Sequence, residues 1–282
     1  MESVKPKSAK NTGSNESDST RIDAVQLQAQ MLERGARQAP RTPDQDRLDE
    51  LRSTANLSAA LSTRAVDMLA VYVPGQGFQQ YPAGIARRLK AGANMYLNFN
   101  LHYSATGKPE RDRSMVAIWF ARLPVKSELI SLNGAADTLR VQGKEIVPNS
   151  VGVKLIPDIP AYADNFEVIG AKTYTDPIVI YNLMPHAHLR GKDWKYVVVY
   201  PDGHEQTILT IARYNPHWQL VYDLETPLRL PAGSKLVVTA HYDNSAKNKD
   251  NPAPEKAVFW ADQLWDEMFI PFVSFTLDEA PR

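Results

Sequence analysis

Two histidines separated by one residue, His186 and His188, have the residue types and spacing that could grip a metal ion. They follow a β-branched run, Ile178-Val179-Ile180, which favours a strand. Side chains at positions i and i+2 of a strand point to the same face. A candidate third ligand, Met268, lies far downstream. Two imidazoles and a thioether suit copper, because soft sulfur favours Cu(I).

Each of these residues also has an ordinary structural role. Most methionines pack in a core, and Met268 belongs to a predicted strand, 267–276, on which it shares a face with Ile270, Phe272 and Ser274. A His-x-His pair within a strand commonly binds nothing. The residues alone therefore leave open a copper site and a purely structural strand end.

The other four histidines have different settings. His102 closes the predicted strand Met95–Tyr103, on which it shares a polar face with Tyr96, Asn98 and Asn100. Such a face meets solvent or lines a cavity. We expect a hydrogen-bonded structural role for His241, a loop position for His217 and a turn position for His204.

Composition excludes several classes of function. The chain has 282 residues, with 32 Lys+Arg against 32 Asp+Glu, and a chain without a basic field is not expected to bind nucleic acid. There is no cysteine, which rules out disulfides, thiolate catalysis and thiolate-bound zinc. No apolar run is long enough to predict a membrane span. The first residues lack the apolar core of a signal peptide.

The elements that must position the histidines are strands. Residues 1–65 form a polar segment that we expect to be disordered or marginally helical. From residue 66 onward, short β-rich runs alternate with Pro and Gly turns, which is typical of an antiparallel β-sandwich. The fold class is therefore all-β. The predicted strands are 68–73, 95–103, 114–122, 177–184, 194–200, 206–212, 218–224, 235–242, 257–260 and 267–276.

A short internal sequence repeat predicts two related β-domains in tandem. Arg88–Gly92 leads into Met95–Tyr103, and Arg229–Gly233 leads into Leu236–Tyr242. In both copies, a Leu-x-Ala-Gly turn is followed by a strand that ends in His-Tyr. With a boundary in Ile156–Pro160, the domains would span residues 66–157 and 158–282.

Six short motifs occur in a characteristic order in the second half of the chain: His186–Lys192, Asn215–Leu220, Leu230–Gly233, His241–Ser245, Trp260–Gln263 and Asp266–Met268. Together they resemble one known family, the copper type II ascorbate-dependent monooxygenases, and in particular their C-terminal half. Relatives include peptidylglycine α-hydroxylating monooxygenase and dopamine β-monooxygenase. The resemblance implies two tandem jelly-roll-like sandwich domains, each with one copper.

The resemblance also implies ligands and partners. His186, His188 and Met268 match the ligands of the oxygen-activating copper, and His102 matches one of three histidines that hold an electron-donating copper. Ascorbate or a similar molecule would be the reductant, and the C–H bond of a small-molecule substrate would be hydroxylated. Relatives work in the periplasm or outside the cell.

This sequence departs from the family pattern at two places. No histidine precedes His102, although the family has a His-His pair there, so we expect an N-terminally incomplete copy or a lost first copper site. Peptide-amidating members have an Arg where this chain has Met184, and Asn and Tyr where it has Ile270 and Phe272. A substrate less polar than a peptide C-terminus is therefore expected. A non-catalytic module that binds copper or a partner remains the alternative.

Overall fold

Strands alone make up the fold. A computed structural model describes residues 69–73, 78–89, 99, 101, 107–135, 137–147, 156–261 and 263–278, and within these ranges it contains twelve strands and no helix. The predictions for residues 1–65 and for His102 lie outside the described residues. The strands are β1 (Ile85–Ala86), β2 (Ser127–Glu128), β3 (Ile130–Asn133), β4 (Thr138–Val141), β5 (Lys144–Glu145), β6 (Phe166–Thr173), β7 (Ile178–His186), β8 (Gly191–Val199), β9 (Glu205–Ile211), β10 (Tyr222–Leu230), β11 (Lys235–Tyr242) and β12 (Ile270–Leu277).

Two antiparallel sheets form a sandwich. One has the strand order β10-β7-β12-β3 and the other β5-β4-β6-β11-β8-β9, and all strand pairs within both are antiparallel. A short parallel pair, β1 with β2, stands apart from them. The predicted all-β, antiparallel fold class is confirmed.

The core lies between the two sheets because buried and more exposed residues alternate along the strands. In β11 the residues Leu236, Val238, Ala240 and Tyr242 are fully buried, and they join Leu183 and Val273 of the other sheet in one apolar cluster. Burying one such aliphatic side chain contributes roughly 1.5–3 kcal/mol.

Three predicted strands are not formed by the described residues: 114–122, 68–73, of which residues 69–73 are described, and 257–260, where Val258 and Trp260 make only isolated bridges. Residues 114–122 are described and form no strand, and Met115, Trp119 and Phe120 are about four-fifths exposed. Alternating apolar residues become a strand only where a neighbouring strand satisfies the backbone hydrogen bonds, and no described strand pairs with this segment. Residues 69–73 likewise form no strand.

The sandwich draws strands from both sides of the predicted boundary at Ile156–Pro160. Strand β3 pairs with β12, and β4 pairs with β6. The division into two tandem domains stays a prediction. In the part of the chain that is described, no helix is long and apolar enough to cross a membrane.

The fold brings the predicted ligands to one end of the sandwich. His186 is the last residue of β7 and pairs with Ile270 at the start of β12. After His186 the chain crosses from the four-stranded to the six-stranded sheet and enters β8 at Gly191. Met268 lies two residues before the start of β12.

Candidate metal centre

The rings of His186 and His188 meet edge to face, with centroids 5.3 Å apart and planes at 82°. Only His186 belongs to a strand, because His188 lies beyond the end of β7, where the chain turns towards β8. His188 is buried at 5% exposure and His186 is half-buried. The structure thus brings the two imidazoles together, although not as two residues of one strand face.

Gln219 determines the orientation of His186. Its amide nitrogen donates hydrogen bonds to the carbonyl oxygens of Pro216 at 3.0 Å and Ala187 at 3.3 Å, so its Oε1 faces Nδ1 of His186, 2.7 Å away. An amide oxygen can only accept a hydrogen bond. Nδ1 of His186 therefore carries the proton and donates, and the ring lone pair is on Nε2.

His188 is held in the same tautomer by a different group. Its Nδ1 lies 3.2 Å from the carbonyl oxygen of Asp266, which also can only accept. The lone pair of His188 is therefore on Nε2 as well. A metal-bound histidine typically donates its other ring N–H to such an outer acceptor, which orients the ring and raises its basicity.

Tyr214 clamps the peptide between the two histidines. Its hydroxyl donates to the carbonyl oxygen of Ala187 at 2.9 Å and accepts from the Ala187 N–H at 3.0 Å. Burial raises the pKa of Tyr214 far above its usual value, so the hydroxyl stays neutral. Gly191 makes room for this ring, because a Cβ there would lie 2.6 Å from Tyr214 Cδ1.

Glu267 ties the histidine turn to the methionine. It is fully buried; its Oε2 accepts from the backbone N–H of His188 at 2.9 Å and of Met268 at 3.1 Å, and its Oε1 from the N–H of Arg190 at 2.6 Å. Burial raises the pKa of Glu267 to about 7, against the opposing effect of these donors and of the Arg190 charge.

Met268 is half-buried at the same corner. Its N–H shares an acceptor oxygen with the N–H of His188, and its carbonyl oxygen accepts from the Tyr242 hydroxyl at 2.8 Å. Two residues later, Ile270 pairs with His186. The backbones of all three predicted ligands therefore meet at one place.

A buried arginine supports the carboxylates at this corner. Arg190 is 2% exposed, and its Nη1 donates to the carbonyl oxygen of Trp265 at 2.5 Å. Its charge interacts with Glu267 and Asp266. A buried carboxylate needs such a counter-charge.

The remaining described histidines lie outside this centre. His241, on β11, donates from Nδ1 to Asp193 at 2.6 Å, in agreement with the structural role expected for it. His217 is exposed beside Asp250, and His204 stacks on Tyr200 at the turn after β8.

The donor set fits copper. Among the described residues, no group of three or more His, Cys, Asp or Glu side chains is placed to hold a metal. Glu267 uses both oxygens in hydrogen bonds. The predicted ligand set consists of two imidazoles and one thioether, and residue types of this kind suit Cu(I).

Residues 159–273 match the family described as copper type II ascorbate-dependent monooxygenase, C-terminal domain. This part of the chain is therefore a domain of that family. The matched residues include both histidines and Met268, as well as the groups that hold them in place. The resemblance stated from the sequence motifs is thereby confirmed.

Other comparisons add little to this family assignment. No curated protein matches the chain. A GH26-CBM35 beta-(1,4)-mannanase from Podospora anserina is 12% identical, over 55% of this chain and 28% of that one, at a TM-score of 0.24. A ruminal GH26 endo-beta-1,4-mannanase is 13% identical, over 56% and 26%, at a TM-score of 0.20. The chain spans about a quarter of each, and similarities this distant carry no argument.

Sequence reasoning gave no role to three residues of this copper-monooxygenase domain. Gln219 and Glu267 lie within motifs that carry the family resemblance, and Tyr214 directly precedes one of them. The only local signal was Gly191, whose missing side chain indicates a close approach that proved to be the ring of Tyr214.

Proposed function

We propose that this chain is a copper-dependent monooxygenase that hydroxylates a C–H bond of a small molecule, using O2 and an ascorbate-like reductant. His186, His188 and Met268 are the proposed ligands of the oxygen-activating copper. The observation that carries the proposal is the shared tautomer of the two imidazoles, set by Gln219 Oε1 and the Asp266 carbonyl. Both rings are prepared to bind a metal through Nε2.

Copper bound here would supply one-electron chemistry and the activation of O2. The protein holds the proposed ligands in position. Tyr214 and Gln219 fix the peptide between the histidines through the carbonyl of Ala187, and Glu267 fixes the backbone that presents the thioether. These hydrogen bonds would hold the backbone that carries the ligands in one geometry before a metal binds.

Water exclusion is the second contribution of the chain. Along β7 the next residue on the face of His186 is Met184, which is 6% exposed and pairs with Phe272 of β12. An apolar surface beside the metal limits side reactions with water. It also suits a substrate with an apolar C–H group.

The proposed reaction needs a source for a second electron. In the family it comes from a copper held by three histidines, and of these the sequence contains only His102. We therefore propose that any second copper at His102 is weakly held and that this chain by itself turns over slowly.

The missing histidine pair favours one alternative, a module that binds copper without oxygen chemistry. Anaerobic titration with Cu(I), followed by measurement of O2 uptake with ascorbate, separates the two functions. A monooxygenase retains one Cu(I) and consumes O2 when a substrate is present. The module retains Cu(I) without substrate-dependent O2 uptake, and a purely structural sandwich retains no stoichiometric copper.

A further inference from the structure

The side chains on the outer face of the four-stranded sheet form successive rows that begin at His186. Leu183 and Val273 point into the core, so their neighbours Met184 and Phe272 point to the opposite side of the sheet. Along β7 the outward side chains are His186, then Met184, then Asn182. Residues two apart in a strand are separated by about 7 Å, which puts the Cα atoms of Asn182 and His186 roughly 13 Å apart.

The row of residues next to His186 is apolar. Met184 and Phe272 are register partners on β7 and β12. Met184 is almost completely buried and Phe272 is half-buried. An apolar group lying over this row would gain hydrophobic contact on its way to His186.

The following row is polar and crosses all four strands. Ser131, Ser274, Asn182 and Asp223 are successive register partners on β3, β12, β7 and β10. The hydroxyls of Ser131 and Ser274 are 2.6 Å apart, and Asn182 Nδ2 donates to Asp223 Oδ1 at 3.2 Å. Asn182 and Ser274 are at most 7% exposed, although neither belongs to the apolar core between the sheets.

This row retains hydrogen-bonding capacity. Whichever serine donates to the other, the accepting hydroxyl still has its own proton to donate. Asp223 engages the amide nitrogen of Asn182, and within the described part of the chain no donor is found on Asn182 Oδ1. One donor, on β12 or on β3, and one acceptor, on β7, therefore lie in the same row of the sheet.

A cavity of about 40 Å³ lies over the polar row. Its volume suits a single small polar group, since a water needs at least about 10–15 Å³. Ser131, Asn182 and Ser274 line it together with Met184 and Phe272 of the sheet and with Arg87, and residues 69–71 also belong to its lining.

We propose that this cavity binds one neutral hydrogen-bonding group of the substrate, a hydroxyl or a carboxamide, whose apolar body lies over Met184 and Phe272 and ends at His186. The inference rests on the proposed monooxygenase function and specifies its substrate class. A hydroxyl or a carboxamide donates to Asn182 Oδ1 and accepts from the Ser131–Ser274 pair. The polar group thereby fixes which carbon of the apolar body reaches the metal centre.

Copper-free full-length protein tests the subsite separately from the oxygen chemistry. Calorimetric titrations with 1-octanol, octanamide and octanoate compare a hydroxyl, an amide and an anion on the same apolar chain. We expect 1-octanol and octanamide to bind at least tenfold more tightly than octanoate. Tighter binding of octanoate would mean that Arg87 selects an anion, and it would overturn the proposal, as would no binding of either neutral probe.

Two variants locate the binding site. Asn182→Leu removes the acceptor and should weaken 1-octanol binding about three- to tenfold, the effect of one hydrogen bond. Ser274→Ala should weaken 1-octanol binding about threefold. If Asn182→Leu does not fold, the Ser274→Ala variant alone tests the site. Thr207→Ala, on an exposed position of β9, is the matched control and should bind like the wild type. Unchanged affinity in the folded variants refutes the subsite.

The two proposals can fail separately. If 1-octanol binds as expected but the copper-loaded protein takes up no O2 with ascorbate, the cavity stands as a ligand site and the monooxygenase function falls. If O2 uptake occurs with other substrates while 1-octanol and octanamide do not bind, the function stands and the substrate class is wrong.

Discussion

Gln219 Oε1 lies 2.7 Å from Nδ1 of His186, across 33 residues of sequence, and this contact decides which nitrogen of the ring carries the lone pair. The two carbonyl acceptors on the other side of the amide prevent it from flipping. The tautomer of His186 therefore depends on a side chain from a distant part of the sequence.

Replacing Gln219 by Leu should leave the sandwich folded and weaken Cu(I) binding about 10- to 100-fold, the usual cost of losing an outer hydrogen-bond partner. Competition with a chromophoric Cu(I) chelator measures the affinity. Gln206→Leu, on an exposed part of β9, is the matched control. Equal Cu(I) affinity in the two variants would show that Gln219 does not orient the ligand.

Replacing Met268 by Ile should weaken Cu(I) binding more than Cu(II) binding, because only the softer ion prefers sulfur. The fold should persist, since a hydrophobic exchange of similar volume costs less than about 1.5 kcal/mol. Parallel titrations with both ions measure the difference. Met115→Ile, at an 80% exposed position, is the control. An equal loss for both ions would argue against a thioether ligand.

Changing His186 or His188 to Ala should abolish stoichiometric copper binding, because one imidazole and a thioether are too few ligands to retain the ion. Equilibrium dialysis followed by metal analysis gives the stoichiometry. His204→Ala, at an exposed turn, should still bind one copper. Full retention of copper by either ligand variant would place the metal elsewhere.

Replacing Glu267 by Gln should destabilise the protein by about 1–3 kcal/mol. The carboxylate accepts from three backbone N–H groups, whereas an amide offers one oxygen and turns an NH2 group towards a donor. Urea unfolding measures the free energy, with Glu205→Gln on the surface of β9 as control. Unchanged stability would mean that the turn at His188 does not depend on this side chain.

Replacing Tyr214 by Phe removes both hydrogen bonds to the peptide of Ala187. We expect a loss of about 1–3 kcal/mol in stability, because the buried N–H of Ala187 loses its partner, together with weaker Cu(I) binding. Thermal unfolding and chelator competition give the two values. Tyr162→Phe, at a 61% exposed position, should change neither. A stable variant with normal copper affinity would contradict the role of the clamp.

The sequence by itself determined the strands that bury one face. The prediction of a strand over 235–242 matches β11 (Lys235–Tyr242), and that over 177–184 overlaps β7 (Ile178–His186). Alternation with a period of two is a local property, so it can be read without knowing the neighbouring strands. The types of the proposed ligands, two histidines and a methionine, are also visible in the sequence.

Tertiary structure decided what surrounds those ligands. Tyr214 and Gln219 come from the loop between β9 and β10, and Glu267 comes from the segment before β12. No periodicity links them to His186 or His188. Their hydrogen bonds exist because β7 pairs with β12 and the chain then crosses to the other sheet. The same reason explains why 114–122 was wrongly predicted as a strand: a strand depends on a neighbour that pairs with it, and local sequence does not specify that neighbour.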